Sequence, residues 1–176
     1  MAAKKPSPKA SELADPEIRP APKVGRKAPA FKLPAHDGTE VALKDLKGKT
    51  VVLYFYPKDS TPGCTVEACG FRDLYDDLQD MGAVVLGVSR DSLKRHQNFA
   101  TKQSLNFPLL SDPEGKVISA YGSWGPKKFM GREFDGILRT TVIIDAEGKV
   151  AKVYPKVATK THAATVLADL KEILGA

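Results

Sequence analysis

Two cysteines, Cys64 and Cys69, are the residues of this chain best suited to chemistry. Cys64 follows Thr61-Pro62-Gly63, and this run predicts the start of a helix because Thr is a good N-cap and Pro fits the first helical position. Cys64 then takes the third helical position, where free N–H groups and the positive end of the helix favour an anion. A thiolate is an anion, so this placement indicates a reactive thiol. The alternative is that Cys64 is a small buried apolar side chain.

Cys69 lies five residues after Cys64, about 140° further around the predicted helix and off its main apolar face. Two thiols this close, in a chain that we expect to be intracellular, indicate a redox pair, although C-x₄-C is not the thioredoxin spacing. Five residues of helix separate the two Cα atoms by roughly 8–9 Å. A disulfide needs less than about 7 Å. The two sulfurs therefore cannot bond while the helix is intact.

The elements that must position these thiols alternate between strands and helices. Thr50–Tyr56 is a continuous β-branched and aromatic run, as expected for a strand buried on both faces, and Pro57 ends it. The helix that carries the cysteines is predicted from about Pro62 to Met81 by the spacing of its apolar residues. Further elements are predicted as follows: a hairpin within Phe31–Val41, a helical turn at Leu43–Leu46, strands at Ala83–Ser89, Phe107–Leu110, Thr140–Ile144 and Val150–Tyr154, and helices at Ser92–Gln103 and His162–Leu174. This order predicts an α/β fold with a sheet covered by helices on both faces.

Residues 1–30 differ in composition from the rest of the chain. They hold seven basic and three acidic residues, which accounts for +4 of the net charge of +6, and six of the 13 prolines. A segment with so few large apolar side chains cannot bury enough surface to offset its ordering entropy. We therefore expect a mobile, basic, proline-rich tail over residues 1–27 and one domain over residues 28–176. A contact of this tail with nucleic acid or a targeting receptor is the alternative to a solubilising extension.

Composition and motifs exclude several other classes of protein. The 176 residues are 42% hydrophobic and 27% charged, which is typical of one globular domain. No apolar run approaches the roughly 20 residues of a membrane span, and two cysteines are too few for a disulfide-stapled secreted scaffold. We therefore expect a cytoplasmic protein. His36, His96 and His162 are scattered and none neighbours a cysteine, so they are expected to be surface or loop residues and not a zinc site.

The segment around Cys64 resembles the active-site signature of the peroxiredoxins, Pro57-x-x-x-Thr61-x-x-Cys64. Four runs are similar to the bacterioferritin-comigratory (PrxQ) branch of that family: Tyr54-Phe55-Tyr56-Pro57-Lys58-Asp59, Thr61-Pro62-Gly63-Cys64-Thr65 followed by Glu67, Trp124-Gly125-Pro126-Lys127-Lys128, and Gly136-Ile137-Leu138-Arg139-Thr140-Thr141. The resemblance extends over about Val24 to Leu174. It implies a thioredoxin-like fold, with a central mixed β-sheet flanked by helices and an N-terminal hairpin, and thiol-dependent reduction of hydrogen peroxide and organic hydroperoxides.

The resemblance also implies roles for individual residues. Cys64 would be the peroxidatic nucleophile, Thr61 would place its hydroxyl in the peroxide pocket, and Pro57 would shield the site from water. Arg139 would bring its guanidinium to the thiolate and to the peroxide oxygens, and Glu67 would be a partner of Arg139. Such a set suits the reaction, because an anion attacks an O–O bond while fixed donors and a permanent cation hold the departing oxygen.

Cys69 matches the resolving position used by part of the branch, where it attacks the sulfenic acid of Cys64 to form a disulfide. Because the chain has no other cysteine, the resolving thiol is either Cys69 or an external one. The resemblance implies a monomer that is recycled by thioredoxin or a similar dithiol protein, with no metal and no organic cofactor.

Other functions fit the sequence less well. A disulfide oxidoreductase would carry C-x-x-C, and a copper chaperone on this fold would carry C-x₃-C with a suitable histidine. The alternative from another class is a peroxide sensor or a nucleic-acid-associated protein that acts through the basic tail without turnover.

Overall fold

A computed structural model describes residues 14–175 of the chain. In chain order its strands are β1 (Lys32–Pro34), β2 (Glu40–Ala42), β3 (Thr50–Phe55), β4 (Ala83–Ser89), β5 (Leu109–Ser111), β6 (Trp124–Phe129), β7 (Arg132–Ile137), β8 (Thr140–Ile144) and β9 (Val150–Tyr154). Its helices are α1 (Pro62–Asp80), α2 (Leu93–Gln103), α3 (Lys116–Ala120) and α4 (His162–Leu174), and Leu43–Leu46 forms a short 3₁₀ turn. Within residues 14–175, no helix combines the length and the apolar character that a bilayer crossing requires.

Five strands form the central sheet, in the order β5-β4-β3-β8-β9. β3, β4 and β5 are parallel, whereas β8 runs antiparallel to both β3 and β9. β3 and β8 run in opposite directions, and Phe55 at the end of β3 pairs with Thr140 at the start of β8. The residues after β3 and the residues before β8 therefore lie at the same end of the two strands. The start of α1 and the segment just before Thr140 are therefore brought together.

Alternate residues of β3 face two separate cores, as the two-residue period of a strand requires. Val52 and Tyr54 pack with residues of α1, α2 and α4. Val51, Leu53 and Phe55 pack with the N-terminal hairpin and α3. Every residue of β3 is buried. The predicted α/β fold, with a mixed sheet flanked by helices and an N-terminal hairpin, is confirmed.

The structure has three elements between residues 111 and 139 where the sequence analysis assigns none: α3, β6 and β7. β6 and β7 form a two-stranded antiparallel hairpin outside the central sheet. The first four residues of β7 are exposed. A strand that is exposed on both faces carries no apolar alternation, which is the signal used to predict strands.

Residues 14–27, which we name the strap, do not match the expected mobile tail. The Ser119 hydroxyl donates to the Glu17 carbonyl at 2.5 Å, and further along the strap Gly25 N–H donates to the Val150 carbonyl at 2.8 Å. Gly122 allows close approach, because a Cβ there would lie 2.4 Å from the backbone nitrogen of Ala21. The two large apolar side chains of the strap, Ile18 and Val24, stay exposed. The strap is held instead by backbone hydrogen bonds and by the close approach that Gly122 allows. Residues 1–13 of the expected tail lie outside the described residues.

Candidate active site

The start of α1 carries Cys64 where the sequence predicts it. Thr61 is the N-cap, Pro62 is the first residue of the helix and Cys64 is the third. The Thr61 hydroxyl donates to the Lys58 carbonyl at 3.0 Å and makes no hydrogen bond to the helix backbone. Cys64 is only 1% exposed. Burial suits a packed thiol as well as a reactive one, so the neighbours of Sγ distinguish the two.

Arg139 is the charged neighbour of Cys64. Its Nη2 lies 3.3 Å from Sγ of Cys64, and its Nη1 lies 3.3 Å from Oε1 of Glu67. Strand β8 begins immediately after Arg139, so the antiparallel pairing of β8 with β3 delivers the guanidinium to the start of α1. Gly63 keeps the approach open, because a Cβ there would lie 3.2 Å from Nη2. Three of the expected site residues thus lie in contact.

Glu67 is a buried acid in this cluster. Its side chain is fully buried, Oε1 faces Arg139, and Oε2 has no hydrogen-bond partner within the described part of the chain. Burial raises the pKa of Glu67 from 4.5 to about 7, against the opposing charge and hydrogen bond of Arg139. The Glu67 carboxyl therefore gains or loses its proton near neutral pH. Its electrostatic attraction to Arg139 is strong when the carboxyl is charged and weak when it is neutral.

Pro57 and Thr61 flank the site. Pro57 is half-buried and lies two residues after the end of β3, and Thr61 is half-buried immediately before α1. The Thr61 hydroxyl bonds the protein backbone at Lys58. The shielding role of Pro57 and the peroxide contact of Thr61 concern a bound substrate, and both stay predictions.

A buried polar network holds the loop between β3 and α1. Oδ2 of Asp59 lies 2.6 Å from Nδ1 of His96, the Tyr56 hydroxyl donates to Oδ1 of Asp59 at 2.5 Å, and the Asp59 backbone N–H donates to Asp91 at 2.8 Å. His96 Nε2 lies 3.0 Å from the Leu110 carbonyl, so this nitrogen is a donor. Asp59, Asp91 and His96 bring ligand-type atoms within 4.8 Å of one another. These atoms bond one another and the backbone, and the network ties the loop to α2.

The expectation of surface or loop histidines is wrong for two of the three. His96 is 0% exposed and His162 is 3% exposed, and the latter pairs with the Thr141 hydroxyl at 2.8 Å. Burial lowers the pKa of His162 to about 4, which favours the neutral ring. The partners Asp59 and Thr141 lie on other elements, so spacing along the chain did not reveal these pairs.

Cys69 faces α2, half-buried, with Sγ 3.5 Å from Oε1 of Gln103. Both cysteines are free, and α1 is continuous from Pro62 to Asp80. The two thiols therefore sit on one unbroken helix, in which the predicted Cα separation excludes a disulfide. Resolution by Cys69 requires a different conformation of this segment.

Lys127 is a cation beside the site to which the sequence analysis gave no role. Its Nζ donates to the Ile137 carbonyl at 2.7 Å, two residues before Arg139. Burial lowers the pKa of Lys127, and the charge of Arg139 lowers it further, while Cys64 acts in the opposite direction. Gly136 makes room for the lysine stem, because a Cβ there would lie 3.1 Å from Cδ of Lys127.

The sequence and the fold of this chain were compared with protein families, with known proteins and with solved structures, and all three give related matches. The family model described as the AhpC/TSA family matches residues 24–153. Peroxiredoxin Bcp of Escherichia coli is 49% identical over 150 residues, which cover 85% of this chain and 96% of that protein. The solved bacterioferritin comigratory protein of Xanthomonas campestris, studied for alkyl peroxide reduction, is 41% identical with a TM-score of 0.78, over 82% of this chain and 92% of that one. A cysteine-to-serine variant of Xylella fastidiosa PrxQ is 33% identical with a TM-score of 0.82, over 88% and 98% of the two chains.

Proposed function

The chain belongs to the AhpC/TSA family, as a peroxiredoxin of the bacterioferritin-comigratory (PrxQ) branch, and from this we propose that Cys64 is the residue that attacks peroxide. The fold is the thioredoxin-like fold of the relatives, and the activity is that of a thiol-dependent peroxidase. The observation that supports Cys64 most directly is the 3.3 Å contact between its Sγ and Nη2 of Arg139.

The chemistry follows from this contact. The thiolate of Cys64 attacks one peroxide oxygen, so that an S–O bond forms and the O–O bond breaks. Sulfur is oxidised to a sulfenic acid, and the second oxygen leaves as hydroxide or alkoxide and takes a proton to become water or an alcohol. Arg139 stabilises the thiolate before attack and the negative charge on the departing oxygen during it, because its guanidinium carries several fixed donors and stays charged.

Thr61, Pro57 and Glu67 complete the proposed site. In the proposal the Thr61 hydroxyl turns from the Lys58 carbonyl toward bound peroxide, which a hydroxyl rotor can do at little cost. Pro57 limits the access of water, and Glu67 orients Arg139 through the 3.3 Å contact of its carboxylate. The substrates are hydrogen peroxide and organic hydroperoxides; the alkyl peroxide reduction of the Xanthomonas protein supports the second class.

Cys69 is the proposed resolving residue. Its thiolate attacks the sulfur of the sulfenic acid, so that an S–S bond forms, the S–O bond breaks and hydroxide leaves to become water. The first turns of α1 unwind before this step, since the two cysteines are too far apart on an intact helix. A dithiol protein of the thioredoxin type then reduces the disulfide by exchange. The alternative, an external thiol, would reduce Cys64 directly.

We further propose that the protein acts in the cytoplasm and as a monomer. The pair of free cysteines fits a reducing compartment. Sedimentation of the reduced and the oxidised protein measures the oligomeric state, and a stable dimer in both states would contradict the second point.

Two variants test the assignment of the cysteines. Cys64→Ser should abolish peroxide consumption, because a hydroxyl has no anionic form near neutral pH. Cys69→Ser should reduce one equivalent of peroxide per chain and then stop when thioredoxin is the only reductant. Wild-type turnover by Cys64→Ser would eliminate Cys64 as the nucleophile. Continued turnover by Cys69→Ser would instead favour the external thiol.

A further inference from the structure

The C-terminal end of α2 contacts α1 at the turn that carries Cys69. The Cys69 thiol donates to Oε1 of Gln103 at 3.5 Å, and Nη1 of Arg72 donates to the backbone carbonyl of Gln103 at 2.6 Å. The side-chain amide of Asn106 donates to the backbone carbonyl of Arg72 at 3.2 Å. We name these four residues the α1–α2 junction. It contacts the resolving thiol on one side and fixes the backbone of α1 three residues later.

The position of Gln103 explains why its backbone is available. Gln103 is the last residue of α2, and Ser104 follows with φ of 52° in the left-handed region, which ends the helix. The final carbonyls of a helix lack intrahelical partners, and a cation at this end is favourable. Arg72 supplies that cation. The side chain of Gln103 is left free to serve another partner, and that partner is Cys69.

We propose that Gln103 is a positioning residue for the resolving step, whose side-chain carbonyl holds Cys69 as a thiol against α2 until Cys64 has been oxidised. This inference rests on the proposed function, in which Cys69 resolves the sulfenic acid. In this proposal a residue outside the peroxide site controls the second chemical step, which is formation of the disulfide.

The control follows from the direction of the hydrogen bond. Only the protonated thiol can donate to Oε1, so the contact stabilises the thiol form, whereas the thiolate is the form that attacks sulfur. Arg72 acts in the opposite sense, because a neighbouring cation favours the thiolate. Release from Gln103 removes this hydrogen bond, and the thiol then gives its proton to solvent before its sulfur attacks.

The junction also separates two roles of Gln103 cleanly. Its backbone carbonyl binds Arg72 and helps to fix α1 beyond Cys69, whatever the side chain is. Its side chain contacts the thiol. A substitution at position 103 therefore removes the thiol contact while leaving the backbone contact in place. Because these backbone contacts hold Arg72, we expect the unwinding of α1 to include Cys69 and to stop near Arg72.

The test separates the two chemical steps in the full-length protein. Sulfenic acid formation is followed by trapping with a cyclic 1,3-dicarbonyl, and disulfide formation by peptide mapping of acid-quenched time points, from mildly acidic to mildly alkaline pH. In Gln103→Ala the disulfide step should be about threefold faster near neutral pH, the size of effect that a modest hydrogen bond produces. Its rate profile should move to lower pH. Peroxide attack by Cys64 should be unchanged.

Gln103→Glu provides the opposite change. A carboxylate beside Cys69 disfavours the neighbouring thiolate, so the disulfide step should slow and its profile should move to higher pH. Thr101→Ala is the matched control, since Thr101 is exposed in the same turn of α2. It should behave as wild type. If thermal unfolding finds Gln103→Ala misfolded, Gln103→Met, which keeps the length of the side chain, takes its place.

The outcomes separate this inference from the function on which it rests. Opposite shifts of the two rate profiles support the inference, because a merely structural role would slow or speed both variants alike. Profiles that shift together, or not at all, overturn it while leaving Cys69 as the resolving residue. If the wild-type protein forms no Cys64–Cys69 disulfide, the role of Cys69 itself is overturned, and that of Gln103 with it.

Discussion

Glu67 and Arg139 form an ion pair in which the carboxylate is fully buried and the guanidinium is 22% exposed, with Nη1 and Oε1 3.3 Å apart. The same guanidinium contacts Sγ of Cys64 at 3.3 Å. Arg139 thus contacts two acidic groups, the carboxyl of Glu67 and the thiol that we propose as the nucleophile. The charge of Glu67 then affects how completely Arg139 is available to Cys64.

Replacing Glu67 with Gln should change the pH dependence of stability. The pKa of Glu67 is raised from 4.5 to about 7 in the folded protein, so the folded state binds the proton more tightly than the unfolded state. The stabilisation is fully present below pH 4.5 and is lost as the pH rises through 7, by about 3 kcal/mol in all. Denaturant unfolding at both ends of this range should show wild type losing that much relative to Glu67→Gln. A constant difference between the two proteins would contradict the raised pKa.

Replacing Arg139 with Lys should lower the second-order rate with peroxide by roughly a hundredfold, the cost of removing a fixed donor from a developing anion. Lysine keeps the charge but loses the planar fork that can hold Cys64 and an oxygen together. Stopped-flow mixing of the reduced protein with peroxide measures the rate. Arg132→Lys, on exposed β7, is the control and should be unaffected. An unchanged rate in Arg139→Lys would remove Arg139 from the site.

Oxidation should open the first turns of α1. If Cys69 resolves Cys64, residues 62–72 lose helical hydrogen bonds when the disulfide closes, and Gly63 and Gly70 lower the cost because each weakens a helix by about 1 kcal/mol relative to Ala. Amide hydrogen exchange in this segment should be much faster in the oxidised protein than in the reduced one. Equal protection in both states, with the Cys64–Cys69 bond confirmed by mapping, would sink the unwinding mechanism.

The contact between the strap and Gly122 should make the stability cost of a Gly122 substitution depend on the presence of the strap. Gly122→Ala should cost more than Gly38→Ala: both glycines have positive φ, but a Cβ at 122 meets the Ala21 backbone, whereas a Cβ at 38 meets nothing within 4 Å. The left-handed backbone alone costs about 1 kcal/mol in each variant. Removing residues 1–23 should make the two costs equal, as measured by thermal unfolding. A difference that persists in the shortened chain would show that the strap does not occupy this groove.

The sequence predicted elements whose burial pattern is local. The bounds of β4, β8, β9 and α4 agree with the prediction residue for residue, because each has an apolar pattern that repeats within the element. The start of α1 was equally clear, because Thr61 is a preferred N-cap residue and Pro62 fits the first helical position. The helix begins there although the Thr61 hydroxyl bonds the Lys58 carbonyl and not the helix backbone. Cys64 was singled out by its position in the predicted helix, whereas Glu67 and Arg139 came from the resemblance. The contact among the three became visible only when the strands were paired.

Features that depend on a distant partner were missed. His96 is buried because Asp59, 37 residues earlier, and the Leu110 carbonyl satisfy its two nitrogens. The strap is held by glycines and backbone groups of another segment, so its own composition gave no sign of order. Gln103 meets Cys69 only because α2 packs beside α1. In each case the free energy comes from a contact that the local sequence does not contain.

Because Cys64 and Arg139 are 75 residues apart in the chain, the ribosome synthesises the thiol well before the guanidinium that contacts it. During synthesis at the usual 5–20 residues per second, roughly 4–15 s pass between the emergence of the thiol and that of its cation. Strand β8 must then insert beside β3 before the two meet. In a growing chain Cys64 is therefore without this cation, and the peroxide reaction proposed for it would begin only once β8 has paired with β3.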